Sequence, residues 1–168
     1  MAYAENHFLQ GKCKWARLVA PDMKYSQWSI VLYPDTKSYE KLMELKTAKN
    51  GVDGILNVIK KDEDGYFVTF KRPTQKLIKG KVQGFAPPEV FEADAKTPLI
   101  SALVGNGSDV TVKVQVYQYN KPAGGKGRAA RLESVRVDNL IPFEMKKDFN
   151  EEQTRLVKGL DEQPEQLF

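Results

Sequence analysis

The stretch from Val110 to Val137 constrains the fold of this chain more than any other. Valines recur at positions 110, 112, 114 and 116. That period sends them to one face of a β-strand and leaves Thr111, Lys113, Gln115, Tyr117 and Tyr119 on the other. A glycine-rich connection follows from Asn120 to Ala130, with Gly124, Gly125 and Gly127 beside Lys121, Lys126 and Arg128 and no acid. A return strand through Val135 and Val137 completes a predicted long β-hairpin. Between Val110 and Arg136, the cations Lys113, Lys121, Lys126, Arg128, Arg131 and Arg136 stand against the single anion Glu133, a local charge of +5. An outer face of alternating cations and tyrosines suits a ligand with a charged backbone and flat bases. Cations neutralise phosphates, and exposed rings stack bases at about 1–3 kcal/mol each.

Around this hairpin the chain reads as short strands with few helices. Lys12 to Val19 is a predicted strand with Cys13, Trp15 and Arg17 on one face. Trp28 to Tyr33 is another, ended by Pro34. Thr36 or Ser38 opens a helix through Tyr39, Leu42, Met43 and Leu45, and Ile55, Leu56, Val58 and Ile59 predict a second short helix from Asp53 to Lys60. In the strand from Tyr66 to Arg72, Val68 and Phe70 point one way and Phe67, Thr69 and Lys71 the other. From Gly65 to Pro88 there is no acid, while Lys71, Arg72, Lys76, Lys79 and Lys81 are present. A short strand near Glu89 to Ala93 and a turn at Gly105–Gly107 lead back to the hairpin. The fold class is mainly β: an oligonucleotide-binding (OB) type Greek-key barrel with one or two short helices. Sequence alone does not separate it from other small antiparallel barrels.

Charge divides the chain in two. The net charge is +4, but the segment from Asp148 to Phe168 carries six acids against Arg155 and Lys158, so the body up to Lys147 holds +8. A binding domain over 1–147 and an acidic, disordered tail over 148–168, tipped by Leu167 and Phe168, are expected. No apolar run approaches the roughly 20 residues that span a bilayer, and MAYAENHF lacks a signal peptide's apolar centre. An intracellular protein without membrane contact is expected. Cys13 is the sole cysteine and His7 the sole histidine, which excludes an internal disulfide and leaves no set of zinc ligands. No metal or cofactor is expected.

The enzyme motifs fail. Gly125-Lys126 is followed by Gly127 where a phosphate-binding loop needs Ser or Thr, and GNGSDV lacks the third glycine of the dinucleotide fingerprint. Asp62, Glu63 and Asp64 before Gly65 read as a solvated turn, although three acids keep a Mg²⁺-dependent nuclease as an alternative. An assembly or adaptor protein is another. The chemistry points instead to binding. The candidate cations are Lys113, Lys126, Arg128 and Arg131 from the hairpin and Lys71 and Arg72 from the preceding strand. Tyr117 and Tyr119 are the stacking platforms, unless they cover a second small core. Tyr25 and Trp28 are secondary candidates, with burial the alternative for Trp15 and Trp28.

The run VGNGSDVTVKVQVYQYN with GGKGRAARLESVRVDNLIPF resembles the C-terminal core of the single-stranded DNA-binding proteins of tailed bacteriophages. KYSQWSIVLYP is similar to that family's early strand, and FAPPEVFEADAKTPLI to the segment before the glycine turn. In pieces, the resemblance covers Lys12 to Phe143. It implies an oligonucleotide-binding fold, no catalysis, and coating of single-stranded DNA during replication, recombination and repair in the host cytoplasm. It also implies that a tail formed by Asp161, Glu162, Glu165, Leu167 and Phe168 contacts replication proteins such as polymerase and helicase-primase. This tail is less acidic than the family's usual ending, because Arg155 and Lys158 interrupt it. A homodimer is allowed but not specified.

Overall fold

The valine alternation forms β8, Asp109–Asn120, and Val110, Val112, Val114 and Val116 are all buried. The return strand β9, Lys126–Asn139, pairs with it from Asp109↔Asn139 to Asn120↔Lys126. The computed structural model describes residues 4–48, 51, 53–100 and 102–142. The expected tail residues Asp161, Glu162, Glu165, Leu167 and Phe168 and the boundary at 147 lie outside the described residues.

On the other side of β8 runs β1, Ala4–Asp22, paired from Ala4↔Tyr117 to Lys12↔Asp109. Its second half turns away to pair with β2, Gln27–Pro34. Beyond β2 lie β4, Gly65–Pro73, and β3, Ile59–Asp62. The short β7, Glu89–Phe91, adds in parallel to the far side of β9. The sheet order is thus β3-β4-β2-β1-β8-β9-β7, and β5, Gln75–Ile78, and β6, Lys81–Gly84, form a separate hairpin. One helix, α1, Thr36–Lys46, packs Leu42 and Leu45 into the core.

The sheet is strongly curved, which brings β4, next to one end, against β9, next to the other. Arg72 of β4 donates from Nη1 to the Leu132 carbonyl of β9 at 3.3 Å. Residues 53–58 seal the remaining gap. Ile55 bridges Arg128, the Leu56 N–H donates to the Arg128 carbonyl at 2.9 Å, and the Asn57 side chain holds both the N–H and the carbonyl of Ala130. Inside lie Leu9, Cys13, Leu18, Ile30, Leu32, Val68, Phe70, Leu132, Val135 and Val137 with the four valines. Each such burial contributes about 1.5–3 kcal/mol. The anticipated mainly-β barrel is therefore present, with one helix among the described residues.

Several expectations change. The predicted helix from Asp53 to Lys60 is extended. Its backbone groups bond β9 and the end of α1 instead of each other, with Ile55 N–H on the Leu45 carbonyl at 2.9 Å. Gly54 allows this, since a Cβ there would lie 1.9 Å from the Lys46 carbonyl oxygen. The cap of α1 is Asp35, whose Oδ1 accepts the Ser38 N–H at 2.8 Å; Ser38 itself is buried, and its Oγ accepts the Gln10 N–H. β1 begins at Ala4, well before Lys12. Trp15 does not share a face with Cys13, because its positive φ of 52° breaks the alternation and leaves the ring 65% exposed. The predicted loop from Asn120 to Ala130 shrinks to a turn, closed by Lys121 N–H on the Gly125 carbonyl, with Gly124 and Gly125 at positive φ. Among the described residues no helix is long and apolar enough to cross a membrane.

Candidate nucleic-acid interface

Tyr117 and Tyr119 occupy the outer face of β8, half-buried, with ring centres 6.5 Å apart and planes at 56°. Their cross-strand partners on β9 are small: Ala129 opposite Tyr117 and Gly127 opposite Tyr119. The Tyr119 ring lies directly over Gly127, where a Cβ would come within 2.4 Å of it. Arg131 places its guanidinium 4.7 Å from the Tyr117 ring centre and donates from Nη2 to Gln115 Oε1 at 2.6 Å. The rings are therefore neither sealed in a second core nor isolated from positive charge.

Across the barrel closure, β4 offers Phe67, Thr69 and Lys71 on its outer face, with Lys71 exposed. Between them and the hairpin lies a groove of about 400 Å³, lined by Lys60, Phe67, Lys71, Tyr117 and Arg131, with the exposed Leu56 and Val58 at its wall. Among the described residues none that lines it is acidic.

Lys71 and Arg72 do not act as a pair, because consecutive strand residues point to opposite faces. Arg72 turns to the barrel end, where Nε donates to the Ala86 carbonyl at 2.7 Å and Nη1 to Glu133 Oε2 at 2.9 Å. Glu133 Oε2 also accepts from Arg131 Nε at 3.4 Å. Above them sits Phe85, on the connection from β6 to β7, with Arg72 at 5.0 Å, Lys76 at 4.9 Å and Arg131 at 5.0 Å from its ring centre. Sequence reading passed over Phe85 because Pro87-Pro88, just after it, reads as a rigid extended link. The signal was present: Phe85 follows the basic stretch that carries Lys76, Lys79 and Lys81 and stands in the same acid-free segment.

The other candidates lie elsewhere or serve the fold. Arg128 is buried on the inner side, donating from Nη2 to Glu5 Oε1 at 2.8 Å and from Nη1 to the Asp53 carbonyl at 3.2 Å. Trp28 is only 6% exposed, and its Nε1 donates to the Val19 carbonyl, so no ring face is offered to solvent. Lys126 is exposed at the hairpin end and donates to Asn120 Oδ1. Lys113 shares the outer face of β8 with Tyr117 but stands about 13 Å further along at strand rise. Tyr25 is 61% exposed in the β1–β2 turn, beside Lys24.

A larger cleft of about 880 Å³ contains Tyr33, Tyr39 and Tyr66, yet its charged lining is Asp35, Asp64, Asp109 and Asp138 against Lys12 and Arg136. Lys12 holds the Asp109 carboxyl below its ordinary range. This cleft stays negative and disfavours phosphate. The Asp62–Asp64 turn is occupied internally: Asp62 accepts the Tyr33 hydroxyl at 2.6 Å, which lowers its pKa, and Asp64 pairs with Lys14. Among the described residues no group of three or more His, Cys, Asp or Glu side chains is placed to hold a metal ion.

No protein-family profile matches the chain, and no curated protein matches it. Solved structures do. The crystal structure of gp2.5, a single-stranded DNA-binding protein encoded by bacteriophage T7, aligns with a TM-score of 0.61 at 18% identity, covering 87% of this chain and 92% of that one. The single-stranded DNA-binding protein of bacteriophage Enc34 aligns with a TM-score of 0.51 at 15% identity, covering 84% of this chain and 86% of that one. At these identities the likeness is one of fold, and it extends over nearly the whole described barrel.

Proposed function

We propose that this protein binds single-stranded DNA without sequence preference and without catalysis, coating strands exposed during bacteriophage replication and recombination in the host cytoplasm. The observation that supports this best is the convergence of Tyr117, Arg131, Phe67 and Lys71 on one open groove without acids, beside a larger cleft that repels phosphate. Bases stack on Tyr117 and Tyr119 while Lys71, Lys60 and Arg131 meet the backbone. Lys113, Lys126 and Tyr25 extend the path at its margins. Arg128 and Trp28 hold the barrel that carries it. The fold shared with two phage single-strand binders supports the same reading. The acidic segment 148–168 contacts replication proteins.

Titration of oligo(dT) against the full chain, with duplex of equal length as control, tests this. Single strands are expected to bind more tightly, and log K to fall linearly with log[salt] by about 0.7 per neutralised phosphate. Tyr117→Ala is expected to cost about 1–3 kcal/mol of binding. Equal affinity for duplex, or a flat salt response, would overturn the proposal. Labelled oligonucleotide incubated with Mg²⁺ should keep its length, and shortening would favour a nuclease. Removal of residues 148–168 is expected to keep or improve DNA affinity while abolishing capture of replication proteins.

A further inference from the structure

We propose that Arg72, Lys76 and Arg131, gathered around Phe85, form a seat for one DNA phosphate, and that the Glu133 carboxylate fills this seat until the strand displaces it. The inference rests on the groove being a single-strand site.

Three cations from three separate elements, β4, β5 and β9, lie within about 5 Å of one ring centre. Like charges repel at such spacing, so their convergence needs a compensating feature. The electron-rich faces of Phe85 supply part of it. Glu133 supplies the rest, and its position is not an accident of strand geometry. The β8–β9 ladder pairs Lys113 with Ser134 and Val114 with Leu132, which leaves Glu133 as the extra residue of a β-bulge. A bulge re-aims the side chain it carries. Here it brings one carboxylate oxygen to Arg72 at 2.9 Å and to Arg131 at 3.4 Å.

A carboxylate held by two guanidinium groups offers the same charge and acceptor geometry as a phosphodiester. One carboxylate also balances only one of three positive charges, so the seat still attracts a polyanion. Arg72 does not depend on Glu133 for its orientation. Its Nε on the Ala86 carbonyl and its Nη1 on the Leu132 carbonyl remain when the carboxylate leaves. The ion pair is therefore exchangeable, with the guanidinium already in place for a phosphate.

The test is Glu133→Gln in the full chain, titrated with oligo(dT) at several salt concentrations beside the wild type. Affinity at low salt is expected to rise about tenfold with the salt slope nearly unchanged, because the seat takes the same phosphate in both complexes. Phe85→Leu, which keeps apolar bulk and removes the ring face, is expected to weaken binding several-fold and flatten the slope. A folded Glu133→Gln protein with unchanged affinity would place Glu133 off the DNA path, and one with reduced affinity would make it a positioning residue for Arg131; either overturns the proposal. Should the amide variant not fold, Glu133→Asp, which keeps the charge but withdraws it by one methylene, must still raise affinity. If the wild type itself fails to bind oligo(dT), the groove assignment falls instead, so the two failures are distinct.

Discussion

Two tryptophans show how much a single backbone angle decides. Both stand in strands, yet Trp28 is shielded and Trp15 is turned out by its positive φ, with its backbone N–H donating to Asn106 Oδ1 at 2.8 Å. Acrylamide quenching should therefore resolve one accessible and one shielded emitter, and Trp15→Phe should remove the accessible one. Arg128 and Arg131 stand on opposite faces of β9. Alternation along β9 and the partners Glu5 and Asp53, far away in sequence, put Arg128 inside, and no local pattern announces those partners. Arg128→Ala is expected to lower stability by about 1–3 kcal/mol, read as a drop in melting temperature. Arg131→Ala, which removes a groove cation together with its contacts to Gln115, Glu133 and the Tyr117 and Phe85 rings, should lower melting modestly and weaken DNA binding. Burial pushes the Cys13 thiol up to about 11, so at pH 8 almost no thiolate is present. Iodoacetamide should label Cys13 slowly in the native protein and quickly in urea; rapid native labelling would contradict its burial.

At the level of elements, periodicity made some things legible and hid others. The β8 valines and the opposed faces of β4 follow from a two-residue repeat, and both are as expected. The first half of β1 escaped notice because its inward positions at the barrel end are Glu5 and His7, polar residues that blur the alternation before Leu9. The 75–84 hairpin escaped because LIKGKVQG reads as a basic loop. The apolar run at 55–59 looked helical, yet its partners are β9 and the end of α1, brought close only by the closed sheet. One contact between elements is directly testable. In Gly127→Ala the added methyl meets the far edge of the Tyr119 ring, and a side chain can swing aside at small cost. Melting is expected to change little, while oligo(dT) affinity falls several-fold because the ring is displaced. Unchanged affinity would remove Tyr119 from the binding surface.

For the whole molecule, the mainly-β barrel and its basic hairpin were readable in the chain, whereas the closure and the sign of each cleft were not. Those depend on which distant acids pair with which cations, as Lys121 with Asp53 and Lys12 with Asp109 show. The arrangement of β1 has a further consequence. Residues 4–10 of this strand pair only with β8, residues 11 and 12 with both β8 and β2, and the remainder up to Asp22 with β2, so both halves of the sheet hang on one ribbon, and β8 lies about a hundred positions further along the chain. A nascent chain that has not yet emitted residue 120 lacks the full complement of mates for residues 4–10 and cannot close. Closure is then expected to be a late, cooperative step, with the high contact order that makes β-rich topologies slow. Urea unfolding followed by tryptophan emission and by far-ultraviolet dichroism should give coincident transitions, and separated midpoints would mean that the ribbon can release one half at a time.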